Sequence, residues 1–119
     1  STTSTIFQIN NGEITRHIFD PSELGLERVG IEELRGGSPG ENADITRAIF
    51  AGRGGAYRQA VLLNAAAAIA AFKADFHLGL TQQLANGYTL AKQAVDSGAA
   101  AQLVERWANL STELAKSSL

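Results

Sequence analysis

A glycine-rich segment, Gly52-Arg53-Gly54-Gly55, stands directly before a predicted helix and has the composition of a phosphate-binding turn. Free backbone N–H groups and the dipole at a helix N-terminus attract anions. No predicted strand leads into this segment, however, and its glycine spacing matches neither the Walker nor the Rossmann fingerprint. The sequence therefore favours the alternative interpretation, a helix end followed by a flexible turn.

Four carboxylates, Glu32, Glu33, Glu41 and Asp44, lie close together in the sequence and could bind magnesium. Carboxylate oxygens are the protein ligands that magnesium prefers. We expect Glu41 and Asp44 in the first turn of a helix, where negative side chains stabilise the helix dipole without any ligand. The sequence favours stabilisation of the helix dipole over magnesium binding for these carboxylates.

The remaining candidates for chemistry are the two histidines, His17 and His77. Neither has a carboxylate at a spacing that would orient the imidazole, so we predict no catalytic role for them. The sequence contains no cysteine, which excludes disulfides and thiolate metal sites. No nucleophile elbow, triad or carboxylate pair stands out, and we assign no catalytic, substrate-binding or metal-binding residue.

The composition is that of a folded domain, with 119 residues of which 45% are hydrophobic. A net charge of −2 and a pI near 5.6 argue against a nucleic-acid partner. The longest apolar run, Ala65–Phe72, is too short to span a bilayer, so no membrane partner is expected. No signal peptide is visible, and we expect a cytoplasmic location. Because the chain starts at Ser1 and lacks methionine, it is either a processed protein or a fragment.

Residues 3–19 predict a β-hairpin, since Asn11-Gly12 is a strong signal for a two-residue type I′ turn. Pairing around this turn places Ile9 opposite Ile14. One face then carries Thr5, Phe7, Ile9, Ile14 and Ile18, interrupted by Arg16, and the other carries Ile6, Gln8, Thr15 and His17. A lone hairpin is marginally stable in water. We therefore expect it to extend a larger sheet, with helices or further strands covering its apolar face.

The rest of the chain predicts helices, which makes the fold class α/β. Asp20-Pro21 ends the second strand, and a helical turn is expected over residues 21–24. The predicted helices cover residues 31–35, 39–51, 56–76, 82–97 and 99–115. Ser38, Pro39 and Glu41 have the spacing of a capping box at the start of the 39–51 helix.

The predicted 56–76 helix is apolar on every side from Ala60 to Phe72 except at Asn64, as is typical of a helix buried all round. We expect Asn64 to be a hydrogen-bonded core amide. In such a core, Ala67→Leu would cost about 1–3 kcal/mol by overpacking. Thr81 is the predicted N-cap of the 82–97 helix, and Trp107 is expected in the core as part of the apolar stripe of the last helix.

Five segments follow one another in a characteristic order. They are residues 20–26 (DPSELGL), 34–43 (LRGGSPGENA), 63–67 (LNAAA), 86–91 (NGYTLA) and 94–100 (AVDSGAA). In this order they resemble the C-terminal part of the anthranilate phosphoribosyltransferases. Residues 1–7 are similar to the strand that follows the acidic metal-binding pair of that family. The related pyrimidine nucleoside phosphorylases match these segments less well.

This resemblance implies that the whole enzyme transfers phosphoribosyl from phosphoribosyl pyrophosphate to anthranilate and releases pyrophosphate. Magnesium and backbone donors would neutralise the charge that develops on the leaving group. The glycine-rich Gly-Thr-Gly-Gly-Asp loop and the Lys-His-Gly-Asn segment of the family do not occur in this sequence. The acidic Asp-Glu pair that holds magnesium would precede Ser1.

The resemblance therefore implies a scaffold role, with all of residues 1–119 belonging to the C-terminal portion of the α/β phosphoribosyl-binding domain. Its partner would be the upstream portion of the same enzyme, and the complete enzyme would be a homodimer. Two alternatives stay open at this point. The chain could be a non-catalytic fragment, or an independent small-molecule-binding or interaction module with a pocket near Gly52–Gly55.

Overall fold

A computed structural model describes residues 3–117. Its elements are β1 (Ser4–Asn10), β2 (Glu13–Phe19), 3₁₀ turns at Pro21–Leu24 and Ile31–Leu34, α1 (Pro39–Phe50), α2 (Ala56–Lys73), α3 (Leu80–Asp96) and α4 (Ala99–Ser117). The predicted order of one hairpin followed by helices is confirmed, and with it the α/β class. A larger sheet is not present among the described residues, whose only sheet has two strands.

The four α-helices differ from their predicted boundaries by one to three residues, and for α2 and α3 the reason is local. Helix α2 ends at Lys73, because Ala74 takes a left-handed conformation with φ of 52°. Helix α3 begins at Leu80, with Gly79 as its N-cap residue. The prediction that Thr81 caps α3 is therefore wrong. The Thr81 hydroxyl instead donates a hydrogen bond of 2.9 Å to the Glu23 carboxylate.

The hairpin has the predicted turn and register. Asn11 and Gly12 both have positive φ, at 48° and 83°, as a type I′ turn requires. Ile9 lies opposite Ile14, and Ile6 lies opposite His17. The hairpin prediction is thus confirmed in its pairing as well as its position.

The hairpin packs on the helices through its mixed face and leaves its apolar face outside. Phe19 is buried against Ala70 and Leu84, with Ile6 beside them. We define the uncovered hairpin face by its four large side chains, Phe7, Ile9, Ile14 and Ile18, which are 62%, 65%, 67% and 55% exposed. The expected helical cover for this face is therefore absent from residues 3–117.

The turn after β2 is fixed by polar contacts. Asp20 caps the 3₁₀ turn Pro21–Leu24 by accepting a hydrogen bond of 2.9 Å from the Ser22 N–H. The Arg28 guanidinium pairs with the same carboxylate. Hydrogen bonding to Arg28, and then to Ser22, holds the pKa of Asp20 well below its usual range. These contacts hold the turn in its conformation, and the Glu23–Thr81 hydrogen bond joins the turn to α3.

The capping box at the start of α1 is also confirmed. The Glu41 N–H donates to Ser38 Oγ at 3.4 Å, and the Ser38 N–H donates to Glu41 Oε2 at 2.7 Å. Hydrogen bonds from the Ser38 side chain and backbone lower the pKa of Glu41. The helix predicted at 31–35 is only a 3₁₀ turn, Ile31–Leu34.

The centre of the molecule is a close contact between α2 and α3. A Cβ atom added to Gly87 would collide with the Ala66 carbonyl oxygen and lie 3.0 Å from the Ala66 Cα. Ala66 is fully buried, at 0% exposed. Two core clusters flank this contact: Ile49, Leu62, Ala91 and Val95 on one side, and Phe19, Ala70 and Leu84 on the other.

The prediction that α2 is buried all round is wrong for this structure. Ala67 and Phe72 are exposed, because α3 and the hairpin cover only one side of the helix. Asn64 is not a core amide either, since it is exposed and donates to the Ala60 carbonyl at 2.8 Å within its own helix. The overpacking expected for Ala67→Leu therefore does not apply here. Trp107 also lies outside the core, at 71% exposed.

The contact between α2 and α3 gives a test of the fold. We expect Gly87→Ala to destabilise the protein by about 1–3 kcal/mol, because the new methyl group must displace the α2 backbone. Gly40→Ala is the matched control, since Gly40 also lies in a helix but has open space around the added Cβ. Urea denaturation measures both. Equal midpoints for the two variants would show that α2 and α3 are not in close contact.

Candidate functional site

A groove of about 360 Å³ lies between β1 and the paired helices α2 and α3. Its walls are mainly apolar and are formed by side chains that include Ile6, Ala67, Ala71, Phe76, Leu80 and Leu84. Such a surface binds apolar groups, because removing them from water is favourable. It holds no acid, base or nucleophile that could carry out a reaction.

The polar feature of the groove is a buried amide, Gln83, which is 5% exposed. Its Nε2 donates to the Leu78 carbonyl at 2.8 Å, and its Oε1 accepts from Gln8 Nε2 at 3.4 Å. These bonds satisfy an amide that would be costly to bury alone. Gln83 therefore joins β1 to α3 at this groove.

The groove is continuous with the uncovered hairpin face, because Phe7 and Ile9 belong to both. The combined surface is mainly apolar and includes residues from both faces of β1, with Ile6 on the packed face and Phe7 and Ile9 on the uncovered face. Exposed apolar surfaces of this kind mark places where another protein element binds. We regard this surface as the candidate functional site.

A charged cluster ties three helices together on another part of the molecule. Arg58 is 9% exposed, donates to the Ile49 carbonyl at 3.3 Å, and pairs with Asp96. Lys92 lies 2.9 Å from the second Asp96 oxygen. Hydrogen bonds from Lys92 and then Arg58 lower the pKa of Asp96. The cluster joins the end of α1, the start of α2 and the end of α3, which is a structural role.

The glycine-rich segment is a helix end and turn, as the favoured interpretation predicted. The Arg53 N–H donates to the Ala48 carbonyl at 2.9 Å, which closes the last turn of α1. Gly52 and Gly55 have positive φ, at 92° and 104°, and Gly55 is the N-cap residue of α2. No side chain among residues 3–117 caps this helix end.

The four carboxylates considered for magnesium each have a local partner. Glu32 pairs with Arg35, Glu33 accepts from the Gly30 N–H, Glu41 caps with Ser38, and Asp44 pairs with Arg47. Asp44 lies in the second turn of α1, so the prediction that it lies in the first turn is wrong. Within residues 3–117, no three Asp, Glu, His or Cys side chains form a group that could hold a metal ion.

The two histidines lie on different elements of the fold. His17 is in β2 on the face that packs on the helices, and its Nε2 is buried without a hydrogen-bond partner. His77 lies in the loop between α2 and α3. The structure does not bring them together.

Among residues 3–117, no helix is long and apolar enough to cross a membrane.

The Asp96 cluster predicts a pH dependence of stability. The pKa of Asp96 is lower in the folded protein than in the unfolded chain, so its contribution is present above the unfolded pKa, about 4. This contribution is lost as the pH falls through the lower folded pKa. We expect Asp96→Asn to lower the urea midpoint at pH 7 and to differ less from the wild type at pH 3.

Asp44→Asn is the matched control for this measurement, because the Asp44 carboxylate is 78% exposed in its pair with Arg47. Exposed pairs of this kind contribute little to stability. Its midpoint should follow the wild type throughout. An Asp96→Asn effect that is unchanged between pH 7 and pH 3 would contradict the role of the ionised carboxylate.

Comparison with known proteins gives a consistent set of relatives. The chain is 49% identical to the anthranilate phosphoribosyltransferase of Rhodococcus jostii over 117 residues, which is 98% of this chain and 32% of that protein. The enzyme of the same name from Thermomicrobium roseum is 44% identical over 98% of this chain and 32% of its own length. That from Streptomyces griseus is 45% identical over 88% of this chain and 29% of its own length.

The chain thus spans about a third of the length of the curated relatives that it matches. The resemblance inferred from the five sequence segments is confirmed. The family model described as glycosyl transferase family, a/b domain, matches residues 1–101, from the hairpin to the start of α4. This chain therefore belongs to the glycosyl transferase family, and most of its residues form part of the family's a/b domain.

Proposed function

We propose that the chain is a structural part of an anthranilate phosphoribosyltransferase. The whole enzyme would transfer phosphoribosyl from phosphoribosyl pyrophosphate to anthranilate and release pyrophosphate. The observation that carries this proposal is 49% identity to the Rhodococcus jostii enzyme over 98% of the chain. The upstream portion of the enzyme would bind the substrates and contribute the catalytic groups.

The proposed task of this segment is to complete a larger sheet. A two-stranded hairpin is marginal alone, and here each strand has one unpaired edge. The uncovered hairpin face exposes four large apolar side chains. Further strands of the enzyme would pair with an edge and bring covering helices onto this face. The hairpin would then be the extension of a sheet whose other strands lie upstream.

The helices support the same role. Helix α2 exposes Val61 and Phe72 on the side away from α3, and Phe72 is 91% exposed. A helix that is apolar all round is normally buried all round. The exposed side of α2 would therefore pack against the same larger sheet or its helices. In this proposal α2 is buried on all sides, as predicted, when the rest of the enzyme is present.

The proposed magnesium ion does not fit this segment. Its carboxylates at positions 32, 33, 41 and 44 are engaged by neighbouring backbone or arginine groups and form no shared cluster. We propose that the magnesium ligands lie upstream of Ser1. The homodimer and the cytoplasmic location are likewise proposals for the whole enzyme. No catalytic step is assigned to residues of this chain.

The scaffold role can be tested by exchange. The 117 matched residues of the Rhodococcus jostii enzyme are replaced by the corresponding residues of this chain. We expect the chimera to release pyrophosphate in an anthranilate-dependent reaction within about tenfold of the parent, a cost of up to about 1.4 kcal/mol. This chain alone should be inactive. A folded chimera without activity, or turnover by this chain alone, would overturn the proposal.

The uncovered hairpin face gives a second prediction. Ile14→Glu should hardly change the stability of this chain alone, because Ile14 is 67% exposed. In the chimera it should cost several kcal/mol, since it would bury an unpaired carboxylate. Thr15→Glu is the matched control, because it places the same charge on the neighbouring, exposed position of β2. Thermal unfolding and pyrophosphate release measure both. Equal losses for the two variants would contradict coverage of this face.

The alternative of an independent module draws no support from its expected pocket. The turn at Gly52–Gly55 closes α1 and starts α2, and the neighbouring cavity of about 140 Å³ is lined by Ala56 and Gln59 but by no residue of the turn itself.

A further inference from the structure

The sequence contains two Asn-Gly dipeptides, and the fold places them in opposite surroundings. In such a dipeptide the glycine nitrogen can attack the side-chain carbonyl carbon of the asparagine, because glycine has no side chain that hinders the approach. Asn11-Gly12 forms the exposed turn between β1 and β2, whereas Asn86-Gly87 lies within α3. Both sites contain the same reactive groups, so a difference in their reactivity must come from the fold.

The turn between β1 and β2 leaves both reacting groups free. Asn11 and Gly12 are exposed, and within residues 3–117 neither the Asn11 side chain nor the Gly12 N–H has a hydrogen-bond partner. The pair Asn10 and Glu13 is the last of the ladder, so the turn lies beyond it. A further strand would pair along the ladder of β1 or β2 and would leave this tip outside.

The geometry of the turn is one peptide rotation away from the geometry that closes a ring. The other favoured hairpin turn, type II′, differs from type I′ mainly in the orientation of its central peptide, and its first central residue has ψ of about −120°. At this ψ the Gly12 nitrogen lies on the same side of the main chain as the Asn11 Cβ, within reach of Cγ. A residue with a side chain is disfavoured there, so the rotated turn is a minor state from which the ring closes.

The second dipeptide is held away from this geometry. An α-helix keeps ψ of Asn86 near about −42°, and the Asn86 Oδ1 accepts a hydrogen bond of 2.9 Å from Gln82 Nε2. Gly87 is buried and packs directly on the Ala66 backbone. Ring closure at Asn86 therefore requires α3 to open.

We propose that Asn11 is a site of spontaneous covalent modification, in which its amide is converted to an acid through a cyclic imide. The Gly12 nitrogen bonds to the Asn11 Cγ, and the bond from Cγ to Nδ2 breaks. Nδ2 leaves as ammonia, which carries away the proton of the Gly12 N–H. Water then opens the ring. Opening at Cγ gives aspartate, and opening at the main-chain carbonyl gives isoaspartate, in which the main chain runs through the former side chain.

The isoaspartyl product changes the hairpin, because it lengthens the main chain of the turn by one CH₂ group. Loop length and turn type fix the register of a hairpin, so this insertion disturbs the neighbouring pair of Asn10 and Glu13. It also adds a negative charge next to the exposed Glu13. The uncovered hairpin face depends on the same register, so the modification alters the surface offered to a partner. This inference does not depend on the proposed transferase function.

The two dipeptides allow the test to be made within one molecule, the full 119-residue chain. The chain is incubated in mildly alkaline buffer, folded and in parallel in denaturing urea, and is digested in acid, which stops the reaction. Mass spectrometry follows the conversion of amide to acid at each asparagine. In urea the two rates should be similar. In the folded protein Asn11 should react at least about tenfold faster than Asn86, which reacts only when α3 opens.

Two variants separate the reaction from its consequences, and both keep a dipeptide that forms a type I′ turn. Asn11→Gly has no amide to lose, so the peptide that contains the turn should keep its mass. Asn11→Asp carries the charge of the product on an unaltered main chain, so its urea midpoint should stay close to that of fresh wild type. Wild type that contains isoaspartate, identified with an isoaspartyl methyltransferase, should unfold at lower urea.

Circular dichroism confirms the helical content of the folded samples. Equal rates at Asn11 and Asn86 in the folded protein would overturn the proposal, because the fold would then not distinguish the two dipeptides. Modified wild type with the same urea midpoint as Asn11→Asp would overturn the proposed effect on the hairpin.

Discussion

The close approach of α2 and α3 at Ala66 and Gly87 is the contact on which the rest of the structure depends. Because Gly87 has no side chain, the backbones meet directly. Leu62 and Ala70 lie one turn on either side of Ala66, and each belongs to a different core cluster. This single contact therefore sets the angle between α2 and α3, and both clusters form around that angle. One cluster receives α1 and the start of α4, and the other receives the hairpin.

The orientation of the hairpin is the second constraint, and it explains why this segment suits a scaffold. A self-contained protein would turn Phe7, Ile9, Ile14 and Ile18 inward, because burying each such side chain is worth about 1.5–3 kcal/mol. Here the mixed face packs inward instead, held by Phe19 and by the Gln8–Gln83 amide pair. The free energy available from the uncovered face is comparable to the whole stability of a domain. Binding of further strands and helices there would be strongly favoured.

Local features of this fold are predictable from the sequence, whereas burial is not. Asn11-Gly12 and the Ser38–Glu41 box act within a few residues, so their geometry follows from the residues themselves. The sequence predicts a core position for Asn64, Ala67 and Trp107, because an apolar pattern shows that a surface must be covered. It does not show whether the cover comes from the same segment.

The candidate site was missed for a related reason. Gln83, in the candidate site, has its partner Gln8 75 residues away along the chain. The same holds for Arg58 in the separate charged cluster, whose partner Asp96 is 38 residues away. Only the Lys92–Asp96 spacing of four residues was visible as a helical ion pair. Long-range polar contacts of this kind fix the angle between elements. They also order the hairpin before any partner binds, so the partner does not bear that entropic cost. A segment without catalytic groups can thus contribute to an enzyme through the position and rigidity of one strand pair.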